Sequence, residues 1–486
     1  MSIIIVFGVF PFFNFLWLCI EPCFCCLVSL CKVQRKYQSN DNHCENGRQG
    51  VGGTDNEKND YRQGYEDNND IELNGQSIKF PSELGFCILF HHWNVNSGIK
   101  VLDVSPHIST LMDTLSQAVR KSGADAFVMY ASSRDADMRY LTQFVTSDPF
   151  VFFKKEDEKG RIIISQMETG RASRESSASV MTRTQAGLPD ILKTETDPWK
   201  ATAKMIAGQV GKKVLVPPNF PVALAQALGN FCTVIVDKGT VSAIRETKSR
   251  DEIRSMKHVQ KVTEAAMGVA VSRIRSSSIK KGILYSDGKP LTSEIIKLSM
   301  HSLLLEHGCT AVDTIVSCGE DTAVPHMTGT GPLKADEPIV IDLFPCEEKT
   351  GYYADMTRTV VKGEPSMEIL DMYTALRDAK QLGISNVKSG VTGAAVYQSV
   401  VDFFKECGYE SNTRGFVHNL GHGVGLQVHE LPTVGPAGKE LKASSVITIE
   451  PGLYYPGIGG VRLEDIGEVT KTGFRNFTQF PEDLVI

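Results

Sequence analysis

The chain has 486 residues, 42% of them hydrophobic and 22% charged, an ordinary globular composition with room for two or three cores. A formal net charge of −6 without a local basic patch argues against nucleic acid as a partner. Of twelve cysteines, seven lie at or before Cys87, and Cys232, Cys309, Cys318, Cys346 and Cys407 show no metal-finger or C-x-x-C spacing, which is the usage of a reduced, cytoplasmic protein rather than a disulfide framework.

Residues 1–104 stand apart from the rest. The opening MSIIIVFGVFPFFNFLWLCI is apolar almost throughout, but Pro11 interrupts it and no basic residue precedes it, so it does not read as a secretory signal. Its length allows a membrane anchor, with Lys32, Arg35 and Lys36 keeping the downstream chain on the cytosolic side; a loosely attached tail or a gene-model artefact is the alternative. Residues 39–75 are rich in Asn, Asp, Gly and Glu and cannot bury enough apolar surface to order themselves, so they read as a linker.

Residues 105–248 alternate strand and helix patterns. An amphipathic helix over Ser109–Lys121 is followed by the apolar runs AFVMYAS, PFVFFKK, RIIISQM, KVLVPP and CTVIVD, with helical segments near 198–210 and 222–228. This predicts an α/β domain with no chemistry of its own.

Residues 249–486 follow a different plan. Ser249 with Asp251 and Glu252 signals a helix start, and the helix runs to about Arg275, with a second over Thr292–His307. Strand candidates AVDTIVS and PIVIDLF come next. Helices near 366–386 and 393–407 then lead to the strands SVITIEPGLYY and GGVRLEDIGEVT. Two helices followed by strands, twice over, predict a duplicated α+β domain with a site between its halves.

Four carboxylates stand in or beside those strands: Asp342, Asp355, Glu450 and Glu464. Unpaired acids in apolar strands are costly, so a positive group must meet them. Between the two pairs lies FVHNLGHGVGLQVHE, with His418, His422 and His429. Its glycines each disfavour a helix by about 1 kcal/mol and let backbone approach a ligand closely. Carboxylates with one imidazole suit a pair of hard or borderline divalent ions, and two such ions support metal-assisted hydrolysis.

In order and in local phrase, Asp342, Asp355, the GHGVG His422, the IEPGLY Glu450 and the VRLED Glu464 resemble the five metal ligands of the pita-bread metallopeptidases, among them aminopeptidase P, prolidase, methionine aminopeptidase and creatinase. The α/β domain ahead of them resembles the N-terminal domain of the aminopeptidase P, prolidase and creatinase branch. The resemblance implies an α/β domain followed by a duplicated pita-bread catalytic domain. It implies two divalent ions, manganese ahead of cobalt, zinc and iron, and hydrolysis of an N-terminal Xaa-Pro bond in peptides or dipeptides through a metal-bridging hydroxide. Glu450 would be ligand and proton acceptor, His429 would contact the substrate carbonyl, and His418 and His326 would line the substrate pocket, His326 also shuttling a proton. Homodimerisation is expected on the same analogy. Arg462, two residues before Glu464 and so on the same strand face, would orient a carboxylate or touch substrate, or pair simply with Asp465 or another acid. Thr357, two residues after Asp355, is placed to hydrogen-bond a ligand. A creatinase-like hydrolase or lyase, or a silent peptide-binding module, are the alternative readings. The phrase DLFPCEEKTGYYAD departs from the family pattern by its extra length between the two aspartates, and Met327 stands where many relatives have a second histidine.

Overall fold

A computed structural model describes residues 106–486, together with the backbone of two separate hairpins. Ile4–Phe10 pairs antiparallel with Phe13–Cys19, and Ile71–Leu73 with Gln76–Ile78. Among the described residues no helix is long and apolar enough to cross a membrane. The expected linker over 39–75 lies, apart from the strand at Ile71–Leu73, outside the described residues.

The first domain carries a six-stranded mixed sheet in the order Thr233–Val236, Lys213–Val216, Ala126–Ala131, Phe150–Lys155, Arg161–Ile164, Ser179–Thr182. All five apolar runs become strands because helices cover both faces. Phe127 and Met129 face one core and Val128 the other, so the strand reads as continuously apolar rather than alternating. The sixth strand, SVMT, is short and half polar and carries little sequence signal. Asp197 caps the helix Pro198–Ala207 by accepting from the Lys200 amide at 2.9 Å, with Pro198 at the first helical position.

The second domain opens with helix α1 (Arg250–Arg275), whose start is the reciprocal Ser249–Glu252 capping box. Helix α2 (Ser293–Glu306) follows, capped by Thr292. Strands β1 (Ile315–Cys318), β2 (Ile339–Leu343) and β3 (Met356–Val360) form an antiparallel sheet in that order. The predicted strand AVDTIVS starts only at Ile315, since Asp313 adopts φ 55° and Val312 is exposed. Helices α3 (Met367–Asn386) and α4 (Gly393–Glu406) begin the second half. There β4 (Gly421–Gly423) lies between β5 (Glu430–Val434) and β6 (Val446–Ile449). A hairpin of β7 (Gly452–Tyr455) and β8 (Gly459–Arg462) and then β9 (Asp465–Val469), paired with β6, complete the sheet region. The long strands expected at 445–455 and 459–470 are each broken, at Glu450–Pro451 and at Leu463–Glu464. Proline has no amide to donate to a ladder, and the breaks release two of the acids from the pleat.

Each half has its own core. One gathers Val259, Met267, Ile296, Met300 and Ile341 beneath β1–β3. The other gathers Leu376, Val400, Phe404, Ile447 and Leu463 around α3 and α4. The helix-pair-then-strands arrangement is therefore present twice, and the two halves meet where the Glu464 amide donates to the Thr357 carbonyl at 3.1 Å.

Candidate active site

The acids converge because of strand register. Asp342 in β2 pairs with Thr357 in β3, which puts Asp355 one step beyond the end of β3. On the other sheet Ile449 pairs with Asp465, so Glu450 leaves the end of β6 just where Glu464 enters β9. His422 comes from β4, where the pairing with β5 shifts register between His422 and Gly423, and such irregularities re-aim side chains beside active sites. A Cβ on Gly423 would stand 2.1 Å from the Leu431 carbonyl oxygen, so only glycine allows β4 and β5 to approach this closely.

The nine residues read in the sequence as ligands, catalytic groups or substrate contacts line one cavity of about 980 Å³: His326, Asp342, Asp355, His418, His422, His429, Glu450, Arg462 and Glu464. One ligand atom each from Asp355, His422 and Glu464 lies within 4.8 Å of the others. His422 Nε2 is 3.1 Å from Glu450 Oε1 and 3.7 Å from Asp355 Oδ2. Its Nδ1 is 3.2 Å from the Gly423 carbonyl, which accepts a hydrogen bond from it and leaves Nε2 as the nitrogen facing the acids. The backbone amide of His422 donates to Thr448 Oγ1, which donates in turn to Glu450 Oε1, both at 3.1 Å.

Arg462 is buried and ties the wall together. Its guanidinium donates to Asp342 Oδ2 at 2.8 Å, to Tyr454 Oη at 2.8 Å, to the Pro325 carbonyl at 3.1 Å and to Thr357 Oγ1 at 3.3 Å. Asp465 is not its partner: Asp465 accepts from Arg358 at 2.9 Å and Lys380 at 2.6 Å. Thr357 Oγ1 donates to Glu464 Oε2 at 2.8 Å. His418 bonds the Asn419 carbonyl through Nδ1 at 2.7 Å and Tyr454 Oη through Nε2 at 2.9 Å. Tyr454 thus joins His418 to Arg462, a role the sequence reading missed, although its place one step from core residue Leu453 puts it on the opposite strand face. The His429 ring stands edge-on to His422, centroids 4.2 Å apart.

The electrostatics call for positive charge. Burial and the nearby Asp342 charge push Asp355 well above the carboxylate range, and burial with the Asp355 and Glu450 charges does the same to Glu464. Burial alone would raise Glu450, but the hydrogen bond and charge of His422 outweigh it and hold Glu450 at about 2. Burial opposes protonation of His422, yet its bond to Glu450 and the Asp355 charge lift it to about 9. Asp342 Oδ1 and Asp355 Oδ1 are buried without any hydrogen-bond partner among the described residues. Lone acceptor atoms in a crowd of mutually repelling acids, beside an imidazole that turns Nε2 inward, fit divalent cations.

Comparison with known proteins matches both domains. The family description Metallopeptidase family M24 matches residues 254–471, and Creatinase/Prolidase N-terminal domain matches residues 112–246. The chain is 28% identical over 392 residues to a Xaa-Pro dipeptidase of Lactobacillus delbrueckii subsp. lactis, covering 77% of this chain and 98% of that protein. Its fold is similar to that of a Xaa-Pro dipeptidase from Bacillus anthracis, with TM-score 0.66 and 22% identity over 78% of this chain and 100% of that one. It is also similar to an X-Pro aminopeptidase from Thermotoga maritima MSB8, with TM-score 0.62 and 25% identity over 76% of this chain and 100% of the other. With both domain descriptions matched in order and the acid and histidine cluster assembled, the chain belongs to metallopeptidase family M24, in the branch that carries a creatinase/prolidase N-terminal domain.

Proposed function

We propose that this protein is a dinuclear-metal exopeptidase that hydrolyses the bond between an N-terminal residue and a following proline. The observation that carries the reading is the meeting of two acids from each half with His422 in one cavity, with buried carboxylate oxygens left unpartnered. The relatives named above for Xaa-Pro and X-Pro cleavage support the substrate class. Asp342, Asp355, His422, Glu450 and Glu464 would hold two divalent ions, manganese before cobalt, zinc or iron. Such a pair supplies a water of lowered pKa and polarises a carbonyl.

The chain's own groups do the rest. Glu450 is held low by protonated His422, and once His422 gives up that proton to become a ligand, Glu450 is free to accept one from the attacking water. The same carboxyl can then return the proton to the leaving proline nitrogen. His429, open to the cavity, is placed to donate to the substrate carbonyl oxygen as negative charge grows there. Arg462 fixes the orientation of Asp342 and, through Tyr454, of His418. His326 lines the cavity as the outer proton donor or acceptor. The proposal includes a cytoplasmic setting, supported by five free cysteines among the described residues, and a homodimer, supported by the family resemblance alone.

The test is to strip the protein of metal, reload it with Mn²⁺, Co²⁺ or Zn²⁺, and assay Xaa-Pro dipeptides, Xaa-Pro-Xaa tripeptides and matched peptides without proline. Metal-dependent cleavage of the tripeptides makes it an aminopeptidase P, and cleavage confined to dipeptides a prolidase. Equal cleavage without proline refutes the substrate assignment, and no cleavage with both ions bound refutes the peptidase reading.

A further inference from the structure

The segment that carries His429 is held from outside the catalytic domain. Glu430 is the next residue, and both of its carboxylate oxygens accept from cations of the short connector between the domains: Oε1 from Lys248 at 2.7 Å and Oε2 from Arg245. The three side chains are only 1–6% exposed. Arg245 also donates to Asp137 in the first domain and, at 3.0 Å, to Gln427 Oε1. Leu426, in the same turn, packs against the core of the first domain. A Cβ on Gly425 would lie 2.2 Å from Glu430 Oε1, so the last glycine of GHGVG makes room for this carboxylate.

His429 itself is exposed, and its one ring contact is the edge-on His422. Among the described residues no group hydrogen-bonds its imidazole, so its placement depends on the residues flanking it. Two cations against two acids make a buried cluster near neutrality. Clusters of this kind add little net stability compared with apolar packing, and in some proteins they fix one registration over another.

We propose that Glu430, clasped by Arg245 and Lys248, is a positioning residue for His429, so that the seating of the N-terminal domain sets where that imidazole stands over the cavity. The inference rests on the reading of His429 as the residue that meets the substrate carbonyl.

The test compares Glu430→Gln, His429→Ala and the double variant in the full-length, Mn²⁺-loaded protein. A displaced catalytic contact of about 1 Å can lower kcat on the order of 10²-fold, and that is the loss expected for Glu430→Gln, with KM little changed. The double variant should lose no more than His429→Ala alone. Histidine-labelled NMR of the same variants loaded with diamagnetic Zn²⁺ gives a readout independent of turnover: the His429 resonance should shift or broaden in Glu430→Gln while that of His418 stays in place. Arg245→Lys, which keeps a cation near Glu430 but removes the fork that also reaches Asp137 and Gln427, should perturb the same resonance and serves if Glu430→Gln does not fold. An unmoved His429 resonance in a folded variant overturns the proposal. So does a lowered melting temperature with kcat intact, the signature of a merely structural clasp. If His429→Ala is impaired and Glu430→Gln is not, the clasp alone fails; if His429→Ala is fully active, the assignment of His429 fails and the clasp's function with it.

Discussion

Thr357 offers a sharp test of how the clustered carboxylates are held. Its hydroxyl is fully buried, donates to Glu464 at 2.8 Å and accepts from Arg462 at 3.3 Å. Thr357→Val keeps the shape and removes both contacts. Arg462 retains Asp342, Tyr454 and the Pro325 carbonyl, so the burden falls on Glu464. A buried acceptor deprived of its donor costs about 1–3 kcal/mol. Loss of a hydrogen bond that orients a metal ligand lowers metal affinity by about 10–100-fold, which is about 1.4–2.7 kcal/mol. Calorimetric titration of Mn²⁺ into the stripped variant should show that weakening, and Thr357→Ser, which restores the hydroxyl, should reverse most of it. Wild-type affinity in a folded Thr357→Val protein would refute the claim that this hydroxyl aims Glu464.

Glu450→Gln should fold and melt as the parent does while turnover falls by about 10²–10⁴-fold, the range for loss of a general base, and an active, well-folded variant removes Glu450 from the mechanism. Arg462→Met leaves buried Asp342 without its partner and should destabilise the metal-free protein by about 3–5 kcal/mol in denaturant melts. The loss should be smaller with Mn²⁺ present, because cations then meet Asp342. In the metal-free protein the raised His422 pKa means that its ion pair stabilises fully below about 6.5 and is lost as pH rises through about 9, a change of at most about 3 kcal/mol. Chemical melts across that window should therefore show declining stability of the stripped protein, while Mn²⁺ affinity rises as His422 sheds its proton. Asp465, which Arg358 and Lys380 hold below the carboxylate range against the effect of burial, contributes above its unfolded pKa of about 3.9 and loses that contribution as pH falls through the lower folded value. Asp465→Asn should abolish that part of the acid transition and lower stability at neutral pH by about 3–5 kcal/mol.

What was legible in the sequence was what is written locally. Ser249 and Glu252 are three residues apart and mark a helix start by a contact that closes within one turn. The four acids and His422 each sit in a short phrase in or beside a strand, and all of them reach the same cavity. What was not legible depends on tertiary pairing. Lys380 and Asp465 are 85 residues apart, and Arg245 and Glu430 are 185 apart, so no local pattern announces either pair. The Arg462 partner was not legible either: Arg462 ends β8 and Asp465 opens β9 across the break at Leu463–Glu464, and the structure gives Arg462 to Asp342, 120 residues away. The breaks at Glu450–Pro451 and Leu463–Glu464 were hidden because the residues around them are good strand formers, and only Pro451 signals the interruption.

The central claim, that the acids and His422 form a two-metal site, is tested most directly by counting ions. Equilibrium dialysis of the stripped full-length protein against Mn²⁺, followed by elemental analysis, should give two ions per chain, and fewer in Asp355→Asn, whose carboxylate has an oxygen within 4.8 Å of ligand atoms of both His422 and Glu464. Two ions per chain with the loss in Asp355→Asn is the result this account predicts. Retention of no ion by the wild-type protein, or an undiminished count in the folded variant, would contradict it.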